Sequence, residues 1–314
     1  MQTIFDLLNC GYELETCGTN SIILKKDDCA FKLTREFSCE EVEEIIQLNK
    51  QLRDKGALVA KLFDYDKVKF HSVAGFAKVL GCIMEANRIG QVWQASRIDD
   101  LQNAEAEKCY VVPMMRYAYI DGENIFSDKR LNGIKLVNNN QKLRNSTYLH
   151  PAVKDILMKD LEQNLRFGEE LSDKEIYKFL LDGKTILASG LSIDNNTGDN
   201  FVFGKTQDGR KGIFYIDLGG FEKMAKYQRQ GETNLFRFTL DNLCKMIYVN
   251  TIADLGSVRD RQTQLLKKYS SVTKKFLKDY PEFKAQFDEY LDSSNYFDKL
   301  KQNLNADNRE VCRE

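Results

Sequence analysis

Two short apolar runs separated by an Asp-Gly pair restrict what the middle of this chain can form. Residues 201–203 (Phe-Val-Phe) and 213–216 (Ile-Phe-Tyr-Ile) are aromatic or β-branched, and Asp208-Gly209 lies between them. Asp-Gly between apolar runs is a strong short-range signal for a β-hairpin. The sequence therefore predicts two antiparallel strands joined by a turn at Asp208-Gly209.

Polar side chains flank the open end of this predicted hairpin. Asn200 directly precedes the first strand, Asp217 directly follows the second, and Asp194 and Asp199 lie just before Asn200. Magnesium takes oxygen ligands and is usually held by one or two carboxylates together with substrate phosphates. The open end could therefore hold a divalent cation, although Asp, Asn and Gly also end strands and form turns for purely structural reasons.

Composition and residue counts exclude several classes of function. The chain has 314 residues with 42% hydrophobic and 30% charged side chains and a formal net charge of -1, so we expect two lobes or one large domain and no nucleic-acid partner. The eight cysteines lack zinc-type spacing and the two histidines are His71 and His150, which leaves little material for a zinc or serine hydrolase. Without a membrane-spanning apolar run or a signal-peptide pattern, a cytosolic protein is expected.

The first part of the chain predicts a small β-rich lobe over residues 1–117. Residues 10–34 alternate in the manner of an antiparallel meander. Ser38, with Glu41 three residues later, forms a capping-box pattern before an amphipathic helix that Gly56 would end.

The remainder predicts an insertion, a connecting strand and a helical lobe. We interpret residues 57–107 as an insertion in the first lobe and 109–117 as a buried strand. Helical periodicity then dominates residues 118–314, with the hairpin embedded among the helices. The predicted fold class is α+β in two lobes, 1–117 and 118–314.

The order of these elements and polar residues resembles the protein kinase superfamily. The resemblance is carried by Lys32 in Cys-Ala-Phe-Lys-Leu, the glutamate-rich helix after it, Val-Val-Pro-Met-Met at 111–115, Asp-Asn-Asn-Thr-Gly-Asp-Asn at 194–200 and Ile-Asp-Leu-Gly-Gly at 216–220. Kinases use a strand lysine, a helix glutamate, a catalytic Asp, a metal-binding Asn and an Asp-Phe-Gly motif. The last two segments look closer to the phosphoinositide-kinase and atypical branch, with Leu218 in place of the phenylalanine. The resemblance implies a two-lobed kinase-like fold that uses ATP with magnesium or manganese.

The resemblance also implies a role for individual residues. Lys32, oriented by Glu44 or Glu41, would hold the α and β phosphates, and Asn200 and Asp217 would hold the metal. The nucleotide site would further include residues from the reduced glycine loop and from the strand at 111–115, namely Gly18, Ser21, Val112, Met114 and Met115.

The catalytic base is ambiguous because the chain has no His-Arg-Asp motif. The usual spacing from Asn200 falls on Asn195, so Asp194 would require a loop one residue longer, and Asp199 is the other candidate. We select Asp194 as the residue that accepts the proton from an attacking hydroxyl. The glycine loop is reduced to Cys-Gly-Thr-Asn-Ser and no Ala-Pro-Glu follows Asp217, so activation by loop phosphorylation is not expected.

A basic segment lies at 259–278, where seven Lys or Arg accompany one Asp. A solvated helix face explains most such segments, but clustered cations also suit phosphate recognition. The candidate polyanion ligands are Arg259, Arg261, Lys267, Lys268, Lys274, Lys275 and Lys278.

The divergent motifs further resemble secreted effector kinases of intracellular bacterial pathogens, at least one of which depends on inositol hexakisphosphate. This resemblance implies delivery to a host cytosol and inositol hexakisphosphate, or a phosphoinositide, as a partner of the basic segment. Three functions stay open: an atypical Ser/Thr protein kinase with an unknown protein substrate, a phosphoinositide or small-molecule kinase, and a pseudokinase that only binds partners.

Overall fold

A computed structural model describes residues 4–17, 21–34, 37–70, 110–126, 130–191, 200–216 and 234–293. Contacts divide the chain into two compact units, each assembled from more than one segment. Unit 1 comprises Met1–Lys55, Val59–Asp121 and Lys205–Arg210, and unit 2 comprises Gly56–Leu58, Gly122–Gly204 and Lys211–Glu314. Within the described ranges, no helix is long and apolar enough to cross a membrane.

Unit 1 is built on an antiparallel five-stranded sheet with the order β1-β2-β3-β5-β4. Helix α1 precedes the sheet, and helix α2 lies between β3 and β4 in sequence and packs against β4 and β5. The elements are α1 (Ile4–Asn9), β1 (Glu13–Cys17), β2 (Ser21–Lys26), β3 (Cys29–Thr34), α2 (Cys39–Asp54), β4 (Leu62–Phe70) and β5 (Tyr110–Ala118).

One face of this sheet forms a hydrophobic core with α1. Side chains that alternate along a strand point to opposite faces, so the core takes every second residue of β2, β3 and β5. Its buried members are Ile4, Leu7, Ile22, Leu24, Phe31, Leu33, Val68, Phe70, Val112 and Met114. The residues between them, Lys32 among them, therefore lie on the other face.

Helix α2 begins as the capping-box pattern predicted. The Glu41 N–H donates to Ser38 Oγ at 3.3 Å, and the Ser38 N–H donates to the Glu41 carboxylate at 2.5 Å. Buried Asn49 then joins the helix to the following chain, because its amide donates to the Ala60 carbonyl at 2.8 Å and its Oδ1 accepts from the Leu62 N–H at 3.1 Å.

Unit 2 is mainly helical, with a three-stranded sheet of order β6-β7-β8. The strands are β6 (Asp121–Glu123), β7 (Phe201–Lys205) and β8 (Lys211–Tyr215). The helices are α3 (Asn132–Asn138), α4 (Gln141–Arg144), α5 (Pro151–Glu170), α6 (Asp173–Ala188), α7 (Leu235–Phe238), α8 (Leu240–Ile247), α9 (Ser257–Asp279) and α10 (Lys284–Ser293), with a 3-10 turn at Pro281–Phe283. The predicted fold class, α+β with a β-rich part containing one key helix and a larger helical part containing a hairpin, is confirmed.

The segment Gly56–Leu58 belongs to unit 2 although it links α2 to β4. Lys178 of α6 donates to the Gly56 carbonyl at 2.6 Å and also pairs with Asp182. The Leu58 carbonyl accepts from the Tyr215 N–H at 3.0 Å. The Asp182 side chain is 1% exposed, and burial raises the pKa of Asp182 to about 6 against the opposing effects of Lys178 and a hydrogen bond from the Leu58 backbone.

Burial of Asp182 predicts a defined pH dependence of stability. Because the folded pKa of about 6 exceeds the ordinary value of 3.8, the folded state holds the proton more tightly between these values. The stabilisation is fully present below the ordinary pKa and is lost as pH rises through the folded pKa. This loss in the free energy of unfolding should be on the order of 3 kcal/mol or less. We expect it to be absent in Asp182→Asn when urea unfolding is measured between the two pKa values.

The control for this measurement is Asp173→Asn, which changes an exposed carboxylate at the start of the same helix. It should keep the pH dependence of the unmodified protein. Parallel curves for the unmodified protein and Asp182→Asn would contradict the assignment.

Candidate functional site

Lys32 is a buried cation in the sheet of unit 1. It lies on the central strand β3, paired in register with Ile23 of β2 and Met115 of β5. It is only 8% exposed, and lysine is almost never buried to this degree unless it is paired. Lys32 is the strand lysine predicted from the kinase resemblance, and as a residue it is largely withdrawn from solvent, where charge interactions are stronger than at the surface.

The two candidate orienting glutamates have different surroundings on α2. Glu41 is held by the capping box with Ser38. Glu44 is exposed, and its carboxylate forms none of the ion pairs that join two described residues. The role of either glutamate in orienting Lys32 stays a prediction.

The residues predicted to line a nucleotide site do not share one face. Met115 is the neighbour of Lys32 across β3 and β5. Val112 and Met114 instead belong to the core between the sheet and α1, because successive residues of a strand point to opposite faces. Of these three residues, Met115 shares a face of the sheet with Lys32 and the other two do not, and the role of all three in binding a nucleotide stays a prediction.

Ser21 is also engaged within the sheet. Its hydroxyl donates to Thr34 Oγ1 at 3.1 Å, and both side chains are buried. This bond ties β2 to β3 at the end that follows the reduced glycine loop. Gly18 lies outside the described residues.

The predicted hairpin is present, and its open end is closed by a backbone bond. The Ile216 N–H donates to the Asn200 carbonyl at 3.0 Å, and Asn200 is partly buried. Asp217 follows Ile216 directly in sequence. Asn200 is therefore fixed beside the residue that precedes the second predicted metal ligand, whereas Asp217 itself lies outside the described residues.

The three residues considered for the catalytic base, Asp194, Asn195 and Asp199, also lie outside the described residues. The choice among them for the catalytic base stays open. Among the residues that the structure describes, no group of three or more His, Cys, Asp or Glu could hold a metal ion. The metal site at Asn200 and Asp217 stays a prediction.

An aromatic cluster supports the hairpin next to Asn200. The ring of Phe201 lies 5.4 Å from that of Phe126, 5.4 Å from that of Phe179 and 5.0 Å from that of Tyr215, measured between centroids. The Tyr215 hydroxyl donates to the Phe179 carbonyl at 3.4 Å, and burial together with Asp182 raises the pKa of Tyr215. The sequence predicted the two strands but not this cluster. The aromatic residues of α6 could have indicated it.

Most of the basic side chains proposed as polyanion ligands are used inside unit 2. Arg261 of α9 pairs with Glu162 at 2.9 Å and Glu169 at 2.7 Å, both on α5. Arg259 donates to the carbonyls of Val249, at 3.3 Å, and Thr251. Both arginines therefore hold α9 in place.

Two of the lysines have similar structural contacts. Lys268 donates to the carbonyls of Gly168, at 3.3 Å, and Leu171, where α5 ends. The Lys275 Nζ lies 5.7 Å from the centroid of the Tyr177 ring. Of the seven predicted residues, Lys267, Lys274, Lys275 and Lys278 are exposed, and binding of a polyanion by this segment stays a prediction.

Comparison with known proteins adds little to these observations. No family model matches the chain, and no curated protein matches it. A solved structure, the AMP-bound complex of the spectinomycin phosphotransferase APH(9)-Ia, matches 88% of this chain and 89% of its own with 12% sequence identity and a TM-score of 0.21. A TM-score of this size carries no argument about fold or function.

Proposed function

We propose that this protein is an ATP-dependent phosphotransferase of the kinase-like type. The observation that carries the proposal is Lys32, which is 8% exposed on the central strand of the sheet in unit 1. A buried cation on a strand followed by a single helix suits the binding of nucleotide phosphates, for which positioning and charge neutralisation supply nearly all of the catalysis.

The residues of this chain then have separate tasks in the transfer. Lys32 would neutralise the phosphates of ATP. Asp194, or Asp199 if it occupies the position of the base, would accept the proton of an attacking hydroxyl. The oxygen of that hydroxyl would bond to the γ-phosphorus of ATP as the bond to ADP breaks and ADP leaves.

The donor atoms at the open end of the hairpin fit a magnesium or manganese ion. The Asn200 amide and the Asp217 carboxylate are hard oxygen donors of the kind that magnesium prefers, and the bond between Ile216 and Asn200 fixes the chain beside both. When bound, the ion would neutralise charge on the transferred phosphoryl group.

The acceptor is proposed to be a Ser or Thr hydroxyl of a protein. A phosphoinositide or another small molecule is the alternative, supported by the likeness of residues 212–221 to phosphoinositide kinases. Secretion as a bacterial effector rests on the resemblance of the motifs alone.

Substitution of Asp217 tests the function directly. We expect Asp217→Asn to lower transfer from labelled ATP by at least about 100-fold, as removal of one electrostatic stabiliser of a transition state does. The assay should run with magnesium and with manganese, against proteins and phosphoinositide vesicles in parallel. The matched control is Asp208→Asn, which alters an exposed aspartate at the opposite end of the same hairpin.

The outcomes separate the candidate functions. Transfer to proteins or to lipids identifies the acceptor class. ATP binding without turnover under every condition identifies a pseudokinase, and full transfer by Asp217→Asn contradicts the proposed metal site.

We propose that inositol hexakisphosphate activates the protein by binding to exposed lysines of the basic segment. Lys274 and Lys278 are exposed one turn apart on α9, and paired lysines favour phosphate groups. We expect calorimetry to show binding that weakens at least about fivefold in Lys274→Glu/Lys278→Glu, from the loss of roughly 1 kcal/mol of attraction. Unchanged heats in the variant would place any such site elsewhere.

A further inference from the structure

All four exposed large hydrophobic side chains among the described residues of unit 2 lie on neighbouring elements. They are Leu136 (42% exposed) on α3, Tyr148 (70%) in the loop after α4, Ile156 (47%) on α5 and Ile252 (61%) in the segment after α8. Single exposed hydrophobic residues are ordinary, whereas a group of them on one surface marks an interaction site.

Hydrogen bonds join these elements into one surface. The Ile252 N–H donates to the Arg144 carbonyl at 3.1 Å, and the Asn250 N–H donates to Asn138 Oδ1 at 2.7 Å. The segment that contains Ile252 therefore runs along the end of α3 and along α4. Tyr148 lies in the loop that follows α4, and the Ser146 hydroxyl donates to its carbonyl.

Helix α3 is in turn seated on α5. The Gly133 N–H donates to the Asp160 carboxylate at 2.6 Å. A Cβ atom at Gly133 would lie 2.6 Å from the Leu157 backbone, so the two helices approach too closely for a larger residue. Ile156 neighbours this contact, and we call the region of α3, α4, residues 145–156 and residues 250–252 the α3–α4 surface.

The charge of this surface is positive in a chain that is almost neutral. Its exposed or partly exposed cations lie on the same elements as the hydrophobic side chains, and the acidic residues among 132–159 are limited to Asp155. The cations are Lys135, Lys142, Arg144, Lys154 and Lys159, the last just beyond the surface on α5.

We propose that the α3–α4 surface docks on an anionic lipid bilayer. Tyr148 and Ile252 would enter the interfacial layer, and the lysines would contact lipid phosphates. Aromatic and aliphatic side chains flanked by Lys and Arg are the composition of interfacial membrane-binding surfaces. Each lysine close to an anionic leaflet strengthens binding about fivefold.

The positions of its hydrophobic side chains favour a bilayer over an acidic protein segment. The two most exposed of them, Tyr148 at 70% and Ile252 at 61%, lie in loops between helices. A peptide helix docks its side chains into a groove, whereas a bilayer accepts projecting side chains at its interface.

Co-sedimentation with vesicles tests the proposal on the full chain. We expect binding to vesicles of phosphatidylcholine with phosphatidylserine, weak binding to phosphatidylcholine alone, and weaker binding as salt is raised. Tyr148→Glu/Ile252→Glu should reduce binding at least about tenfold, because both inserted side chains become anionic. Lys142→Glu/Lys154→Glu should do the same through charge alone.

Matched controls keep the test specific. Leu14→Glu changes a hydrophobic side chain that is 40% exposed on β1, and Lys69→Glu changes an exposed lysine on β4; both should bind as the unmodified protein does. Circular dichroism confirms that each variant folds.

The proposal is overturned if phosphatidylserine in the vesicles does not increase binding of the unmodified protein, or if the α3–α4 variants bind as well as the controls. Binding of a poly-glutamate peptide without binding of vesicles would also overturn it and assign the surface to an acidic protein. None of these readouts depends on phosphotransfer.

Discussion

Replacement of Lys32 by alanine is expected to reduce phosphotransfer from ATP by at least about 100-fold, the loss typical of removing one preorganised electrostatic contact. The reason is the position of Lys32, a residue that is 8% exposed on the central strand β3. Charge interactions there are screened less by water than at the surface. Initial rates with labelled ATP and calorimetric affinity for ATP both report the effect.

Two further variants make this result specific to the ammonium group. Lys32→Met preserves most of the aliphatic stem and should be as inactive as Lys32→Ala while remaining better packed. Lys69→Ala, at an exposed position on β4 of the same sheet, should keep full activity. Equal rates for the Lys32 and Lys69 variants would remove the basis of the proposed function.

Truncation of Phe201 should have the largest effect on stability. Its side chain is 1% exposed and contacts the rings of Phe126, Phe179 and Tyr215. Phe201→Ala leaves a cavity among these rings, and such truncations lower the free energy of unfolding by about 3–5 kcal/mol. Because domains are stable by only about 5–15 kcal/mol, a large share of the folded state would be lost.

Chemical denaturation monitored by near-ultraviolet circular dichroism measures this loss. The control is Phe63→Ala, which removes the same side chain where it is 37% exposed and should cost roughly 1 kcal/mol or less. If both variants unfold at the same denaturant concentration, Phe201 does not stabilise the hairpin as described.

Local signals in the sequence accounted for the elements of the fold. The capping box at Ser38 predicted where α2 begins, and Asp208-Gly209 predicted the turn between β7 and β8. Both depend on residues within a few positions of each other, and for that reason a single sequence suffices to recognise them.

Features that depend on distant partners were not accessible in this way. The strand containing Met114 and Met115 was predicted, but which of the two shares a face with Lys32 follows from the pairing of β3 with β5 and from the core beneath α1. The basic segment looked like a free surface, whereas Arg261 meets Glu162 and Glu169. Periodicity shows which side of a helix is polar but not what lies opposite it.

The division of the hairpin between the units has a consequence for dissecting the protein. Residues Lys205–Arg210 belong to unit 1, although both strands of the hairpin begin or end in unit 2. Within unit 1, Gln207 Nε2 donates to Asp28 Oδ2 at 2.8 Å. Conversely, Gly56–Leu58 belong to unit 2, although the residues before and after them in sequence belong to unit 1. Neither unit is a continuous stretch of sequence, so no single cut in the gene yields one of them whole, and exchange between proteins by recombination would have to move them together.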